Sequence, residues 1–132
     1  MNAKTPKEAF IIMNEAVLPN DTNVLGTLFG GRLLQWMDVA SAISAGKHCN
    51  TNVVTASVDN VSFDKPIRLG EVVHIEAKVT RSFTTSMEIH LNVWGENITK
   101  GIKYKSNEAF YTFVAIDKDY NPVKVPTIIP ET

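Results

Sequence analysis

The chain has 132 residues, which is enough for one domain with a single core. Of these residues 44% are hydrophobic and 20% are charged, a composition typical of a globular protein that excludes general disorder. Thirteen basic and fourteen acidic residues give a net charge of −1. The basic excess typical of duplex-binding proteins is missing, so we expect no nucleic-acid partner.

Cys49 is the only cysteine, which excludes a disulfide within the chain and a zinc site with several thiolate ligands. A reducing, cytoplasmic location is the natural expectation. The N-terminal segment is polar, and no apolar run approaches the roughly 20 residues that span a bilayer, so we expect neither a targeting signal nor membrane insertion.

The first half of the chain predicts one strand and one helix. An apolar strand is predicted from Ala9 to Leu18, and Pro19 to Asn23 then favours a turn. The glycine-rich segment from Gly26 to Gly31 leads into a helix predicted from Arg32 to about Lys47. At 1.5 Å per residue this helix is about 24 Å long.

The predicted helix has little charge on either side. One face carries the larger apolar residues Leu33, Trp36, Met37, Ala40 and Ile43. The other side carries mostly small or uncharged residues, namely Gly31, Leu34, Gln35, Asp38, Ser41, Ala42 and Ala45. Such a helix is buried on most sides. One sheet can cover only one side, so we expect a partner subunit or a ligand to cover the rest.

After residue 52 the apolar pattern changes to a period of two, which is typical of strands. Strands are predicted at Val53–Phe63, Val73–Thr80, Met87–Trp94 and Tyr104–Ile116, with turns or loops at Pro66–Gly70, Ser82–Thr84 and Gly95–Gly101. Consecutive strands after a helix favour antiparallel hairpins. The predicted fold class is therefore α+β, one antiparallel sheet wrapped around one long central helix. The tail at 117–132 carries three prolines and is expected to be extended or partly disordered.

Asp38 is the most informative candidate for chemistry. A carboxylate in the middle of an otherwise uncharged buried helix is costly unless it is paired or used. Its small neighbours on the helix would let a ligand approach. The alternative is that Asp38 is exposed to solvent or caps a local group.

The glycines before the helix are a second candidate. A helix N-terminus offers unpaired N–H groups at the positive end of the dipole, so Gly30 and Gly31 could form an oxyanion hole. The alternative is an ordinary turn, and the Lys-Ser/Thr of a phosphate loop is missing. Asn23 could orient a water or a carbonyl, although asparagine is also a common turn residue.

The three histidines give no metal-binding pattern and suggest no catalytic triad. His74 and His90 fall on the polar sides of predicted strands, where we expect them to be solvated. His48 ends the predicted helix, where the dipole favours a cation. No G-x-S-x-G motif occurs.

Several segments together resemble the acyl-CoA hydrolase family of hotdog-fold thioesterases. They are Asn23 with Gly26–Gly31, Leu33–Asp38, Val54–Asp59, Val79–Glu88 and Asn107–Ala115. The resemblance covers about residues 9–126 in order and is closest to the short, single-domain bacterial members. It implies one hotdog domain over 1–132, with a core at about 9–116 and an extended tail at 117–132.

The resemblance also implies an activity and a set of site residues. The activity is hydrolysis of the acyl-CoA thioester to a free fatty acid and coenzyme A, in lipid metabolism, without a metal or a bound cofactor. Asp38 matches the catalytic aspartate, which acts as general base or nucleophile, and Asn23 matches an asparagine contributed across a dimer interface. The Gly30 and Gly31 amides match the groups that polarise the carbonyl. The segments that line the coenzyme A channel match Ala56, Ser57, Val58, Thr85, Ser86 and Met87.

The family also implies a homo-oligomer, a dimer at least and a hexamer built as a trimer of dimers. Two alternatives use the same fold. Hotdog dehydratases rely on a histidine near the helix, and no histidine lies between Met1 and Lys47. A non-catalytic acyl-CoA sensor would bind the ligand in the same pocket without turnover, but normally carries a DNA-binding extension.

Overall fold

The computed structural model describes residues 3–59, 61–62 and 64–129. It contains one helix and five strands, namely α1 (Gly30–Cys49), β1 (Ile11–Ala16), β2 (Asn52–Asp59), β3 (Val72–Ser82), β4 (Ser86–Asn97) and β5 (Ile102–Ile116), with short 3-10 turns at Pro6–Ala9 and Pro19–Asp21. The strand order is β1-β3-β4-β5-β2, and every neighbouring pair is antiparallel. The predicted α+β arrangement of one antiparallel sheet on one helix is confirmed.

The alternation predicted for the strands is also confirmed. The sheet face that packs on α1 consists of buried side chains from the three central strands: Val73, Ile75, Ala77 and Val79 of β3, Met87, Ile89, Leu91 and Val93 of β4, and Ala109, Tyr111, Phe113 and Ala115 of β5. The residues between them are partly exposed on the opposite face. The core therefore lies between the sheet and the helix.

Several strand ends differ from the prediction. β1 is shorter than predicted: Ala9 belongs to the first 3-10 turn, and Leu18 is the N-cap of the second. β4 continues to Asn97, so the loop predicted at Gly95–Gly101 is shorter. Gly95 is a strand residue beside the Tyr104 ring, where an added Cβ would lie 2.5 Å from the ring. Phe63, the predicted end of the second strand, lies outside the described residues.

The buried face of α1 also differs from the prediction. The helix has 20 residues, about 30 Å, and its buried side carries Leu33, Met37, Ala40, Ser41, Ser44, Ala45, His48 and Cys49. Ser41 and Ala45 were expected on the other side, whereas Ile43 is 46% exposed and Trp36 is only partly buried. Small residues let the helix lie close to the sheet, and the serine hydroxyls are satisfied. Ser41 Oγ donates to Met37 O at 2.8 Å, and Ser44 Oγ donates to Ala9 O at 2.6 Å.

The C-terminal tail begins with a turn at residues 117–120, and the described residues after it are extended and pack on the domain. Val125 N donates to Thr84 O at 2.9 Å, and Ile129 N donates to Lys4 O at 2.7 Å. Val125 and Pro126 are buried. The last predicted proline of the tail, Pro130, lies outside the described residues. Within the described part of the chain, no helix is both long and apolar enough to cross a membrane.

Candidate active site

Asp38 lies in the middle of α1, on the flank of the helix that faces the edge strand β2. Thr55 Oγ1, on β2, donates a hydrogen bond to Asp38 Oδ1 at 2.7 Å. Asp38 is half-buried, and its carboxylate is paired with a hydroxyl. The hydroxyl holds one carboxylate oxygen, and Oδ2 makes no hydrogen bond to any residue that the structure describes. Asp38 is therefore oriented, with one oxygen left to meet a ligand.

Asp38 lines a cavity of about 430 Å³ between the start of α1 and the edge strand β2. The other lining residues are mostly apolar: Gly31, Leu34, Gln35, Val58, Val61 and Tyr111. Burial, and to a lesser degree the charge of Asp38, raises the pKa of Tyr111 to about 12. Its phenol is therefore protonated at neutral pH and donates to Leu34 O at 3.4 Å. An apolar cleft with one placed carboxylate is typical of a small-molecule site.

The helix start supplies the second element of this cavity. The first hydrogen bond of the helix runs from Leu33 N to Phe29 O at 3.0 Å. The N–H groups of Gly30, Gly31 and Arg32 precede it and have no acceptor in the helix. None of them bonds another residue in the described ranges. An added Cβ at Gly31 would meet no atom within 4 Å, so open space adjoins these donors.

The two predicted glycines line different cavities. Gly31 lines the Asp38 cavity, whereas Gly30 lines a second cavity of about 180 Å³ together with Leu33 and Ile67. The first turn of α1 thus separates the two spaces. Only Gly31 is brought together with Asp38 by the fold.

Asn23 forms the turn that its residue type favours. Its Oδ1 accepts from Leu25 N at 2.9 Å and from Thr27 N at 3.1 Å, while Nδ2 donates to Thr27 Oγ1 at 2.9 Å. The two backbone donors identify which end of the amide is the oxygen. Nδ2 carries two hydrogens and uses one for Thr27, so its second hydrogen points in a fixed direction and is left to donate elsewhere. Asn23 does not line the Asp38 cavity of its own chain.

The residues predicted for the coenzyme A channel are dispersed. Val58 lines the Asp38 cavity, and Ala56 lies at an irregularity in β2. Ser57 pairs with a residue on the outer sheet face, as does Ser86, and cross-strand partners share a face. Both serines therefore lie on the side away from the helix.

The turn before β4 holds the remaining members of that set. Thr85 O accepts from Ala115 N at 3.0 Å, which ties this turn to the end of β5. The Met87 side chain is fully buried in the core. Met87 can therefore meet a ligand only through its backbone.

Two residues of the site were missed from the sequence, Thr55 and Tyr111. Thr55 pairs with Phe113, a residue on the helix-facing side, so its hydroxyl points toward α1. The sequence signal that could have identified Thr55 is a polar residue at a strand position that faces the helix. Tyr111 is an inward residue of β5. In the alternating pattern it counts as one more apolar core residue, so the pattern gives no sign that its hydroxyl lies near the site.

The comparisons with known proteins agree with the fold. Residues 25–102 match the family model described as the thioesterase superfamily. A Bacillus subtilis relative, described as an uncharacterized acyl-CoA thioester hydrolase, is 42% identical over 96% of this chain and 73% of its own length. The rat cytosolic acyl coenzyme A thioester hydrolase is 36% identical over 86% of this chain, which spans 30% of that longer protein.

Solved structures give the same result. An apo-hexameric acyl-CoA thioesterase superposes with a TM-score of 0.97 at 38% identity, covering 100% of this chain and 85% of that one. A Staphylococcus aureus acyl-CoA hydrolase, solved with butyryl coenzyme A, coenzyme A and coenzyme A disulfide, gives 0.93 at 36% identity, covering 98% and 79%. Alanine variants of the S. aureus enzyme at an aspartate, an asparagine and a threonine have also been solved.

A single antiparallel sheet on one long helix, with this family match, places the chain in the thioesterase superfamily with the hotdog fold. Within that superfamily it is an acyl-CoA thioester hydrolase. The predicted hydrolase is thus confirmed over the sensor alternative.

Proposed function

We propose that thioester hydrolysis takes place in the Asp38 cavity and that Asp38 is the catalytic carboxylate. The observation that carries this proposal is the placement of Asp38. Asp38 lines the cavity, the Thr55 hydroxyl binds one of its oxygens, and Gly31, whose N–H is unpaired at the helix start, lines the same cavity. A base and an electrostatic stabiliser therefore adjoin one space.

The relatives support the same residues. The asparagine, aspartate and threonine replaced in the S. aureus variants have the same spacing along that chain as Asn23, Asp38 and Thr55 have here. Two of these positions were expected from the resemblance, and the third is the hydroxyl that binds Asp38. We therefore assign Asn23, Asp38 and Thr55 to one site.

Two chemical routes use this arrangement. As a general base, Asp38 removes a proton from water, and the water oxygen attacks the thioester carbonyl carbon. As a nucleophile, Asp38 attacks that carbon itself and forms an acyl anhydride that water then hydrolyses. In both routes the carbonyl electron pair moves onto oxygen, where the unpaired N–H group at Gly31 stabilises the charge. The C–S bond then breaks, and the thiolate of coenzyme A takes up a proton.

The complete site requires a second copy of the chain. Asn23 lies outside the Asp38 cavity of its own chain, so we assign its amide to the cavity of a neighbour. The edge strand β2 is uncovered, with Val54 and Val58 each 41% exposed, and the outer helix side exposes Val39 and Ile43 by 44% and 46%. We propose a homo-oligomer of six chains built as a trimer of dimers, and the relatives described as hexameric support the number of chains.

Light scattering at micromolar concentration tests the assembly. The expected mass is that of six chains. An active monomer would overturn both the assembly and the shared site.

We assign the coenzyme A path to the segments Ala56–Val58 and Thr85–Met87, with Met87 contributing its backbone. Ser57→Leu and Ser86→Leu are expected to raise KM for acyl-CoA severalfold with little change in kcat, since both side chains lie away from Asp38. Unchanged KM in both variants would contradict this path. The cytoplasm is the proposed location, in line with a relative named cytosolic.

Asp38→Asn tests the catalytic assignment. The amide keeps the size and the hydrogen bond to Thr55 but cannot accept a proton, so kcat should fall by about 10²–10⁴-fold. Coenzyme A binding by calorimetry and the thermal unfolding midpoint should stay close to wild type. Asp119→Asn, on an exposed turn, is the matched control and should keep full activity. Wild-type turnover of Asp38→Asn would refute the proposed role.

A further inference from the structure

Tyr104 packs against a strand glycine at the far end of the sheet from the tail. In the β4–β5 register it pairs with Gly95, where an added Cβ would lie 2.5 Å from Cζ and Oη of the tyrosine. Because Gly95 has no side chain, the Tyr104 ring can occupy that space. Tyr104 O–H donates to Glu71 Oε1 at 2.6 Å, and Pro66 O is a more distant acceptor at 3.3 Å.

This hydroxyl remains a donor at any physiological pH. Burial raises the pKa of Tyr104, and the hydrogen bond and charge of Glu71 raise it further. Glu71 is only 8% exposed, so its carboxylate depends on the donors around it. Besides the tyrosine, Arg68 N donates to Oε1 at 2.7 Å, and Glu71 N donates back to Arg68 O at 3.0 Å. Tyr104 and Glu71 together hold the turn that ends at Glu71.

That turn is bonded to the segment that carries Asn23. Leu69 N donates to Gly26 O at 2.9 Å, and Leu28 N donates to Ile67 O at 2.7 Å. Gly26 and Leu28 flank Thr27, whose N–H holds the Asn23 amide oxygen at 3.1 Å. Hydrogen bonds linked by short backbone steps therefore connect the Tyr104 hydroxyl to the side-chain amide of Asn23.

We propose that Tyr104, acting through Glu71, is a positioning residue for thioester hydrolysis. It holds the Asn23–Leu28 segment at the angle that aims the Asn23 amide into the neighbouring site. This inference rests on the role proposed above for Asn23. Tyr104 does not line the Asp38 cavity, so its effect is assigned to the turn at residues 68–71.

Tyr104→Phe is the first test. Removal of the hydroxyl should lower kcat by about fivefold to tenfold, the fold-change equivalent to one ordinary hydrogen bond, while KM changes less than about twofold. Glu71→Gln keeps an acceptor for both Tyr104 and Arg68 and should retain activity, whereas Glu71→Ala should lose as much as Tyr104→Phe. Tyr120→Phe removes a hydroxyl from a 78% exposed tyrosine and is the matched control.

Kinetics must be measured well below the unfolding midpoint of each variant, since a purely structural role predicts lower stability with unchanged kcat. That result for Tyr104→Phe would overturn the inference. Gly95→Ala displaces the ring by a different route and should reproduce the loss in kcat. If Gly95→Ala and Tyr104→Phe are both fully active, the inference fails.

A double-mutant cycle with Asn23→Ala separates this inference from the proposed function. Asn23→Ala should be impaired, and adding Tyr104→Phe should then lower kcat no further, because the two changes act on one element. Full additivity would overturn the inference and leave the role of Asn23 in place. A fully active Asn23→Ala would instead overturn the proposed role of Asn23 and, with it, the inference.

Discussion

The two ends of α1 are built in opposite ways. At its start, Gly30 and Gly31 leave N–H groups unpaired, no side chain caps the helix, and a cavity lies on each side. At its end, Asn50 takes a left-handed conformation and donates its N–H to Gly46 O at 2.7 Å. The carbonyl of Lys47 accepts from the Lys4 ammonium at 3.3 Å.

His48 completes the closed end. It is fully buried, and its Nε2 donates to Pro126 O at 2.8 Å, which ties the helix to the C-terminal tail. Because unpaired helix ends cost stability and bind ligands, we infer that the start of α1 serves the reaction and its end serves the fold. Substitutions at the two ends should therefore separate activity from stability.

His48→Ala should give the largest change in stability. It removes a buried hydrogen bond and leaves a cavity, so the free energy of unfolding should fall by about 2–4 kcal/mol. Chemical denaturation measures this, and kcat below the unfolding midpoint should stay near wild type. His74→Ala, at a more exposed side chain that is hydrogen-bonded to Glu96, is the control and should cost about 1 kcal/mol or less. A large loss of kcat in His48→Ala with unchanged stability would contradict the inference that the end of α1 serves the fold and not the reaction.

Thr55→Val sharpens the comparison at the open end. Valine has the shape of threonine and suits a strand, but it cannot donate to Asp38. The carboxylate would lose its fixed orientation, and kcat should fall by about tenfold, smaller than for Asp38→Asn. The matched control is Thr99→Val in an exposed turn. Equal turnover in Thr55→Val and wild type would show that Asp38 needs no orienting partner.

The buried histidine also predicts how stability depends on pH. Burial lowers the pKa of His48 below its ordinary 6.5, although the bond to Pro126 opposes this shift. The unfolded chain therefore binds a proton at this residue before the folded chain does as pH falls. The contribution of neutral His48 is fully present above about pH 6.5 and is lost as pH falls toward its folded pKa.

Unfolding free energies at pH 7.5 and 5.5 test this direction. His48→Gln lacks the titrating group and should lose less stability than wild type between these pH values. An equal pH dependence in both proteins would assign the effect to other groups.

The parts of the fold that follow from local patterns were predictable. Period-two alternation located β3 and β4, and glycine followed by good helix formers located the start of α1. Gly95 was misread because glycine favours loops, whereas here it makes room for Tyr104, a residue on another strand. Side-chain size was likewise a poor predictor of which helix face is buried. Ser41 is small and polar, but it can be buried because its hydroxyl donates to a backbone carbonyl.

The site was predictable only in part for the same reason. Asp38 and Gly31 lie on one helix, so their spacing shows that they share a side. Thr55 joins them through the pairing of β2 with β5, which contains a register shift after Thr55. Such a shift reverses which residues face the helix, and sequence alternation alone does not reveal it.

A pair of glycine substitutions compares the two helix ends with the smallest possible change. Alanine at either Gly31 or Gly46 lowers the entropy cost of folding and should stabilise the helix by about 0.5–1 kcal/mol. Neither position forbids a methyl group, since a Cβ at Gly31 meets no atom within 4 Å and one at Gly46 lies 3.9 Å from Thr51 O.

At Gly31, however, the methyl group adjoins the space where the thioester carbonyl must approach the helix N–H groups. We therefore expect Gly31→Ala to be more stable but severalfold lower in kcat/KM, and Gly46→Ala to be more stable and fully active. Thermal unfolding and acyl-CoA hydrolysis on the same samples give both quantities. If Gly31→Ala gains stability at no cost in kcat/KM, the open start of α1 has no part in binding the carbonyl, and the contrast between the two ends concerns stability alone.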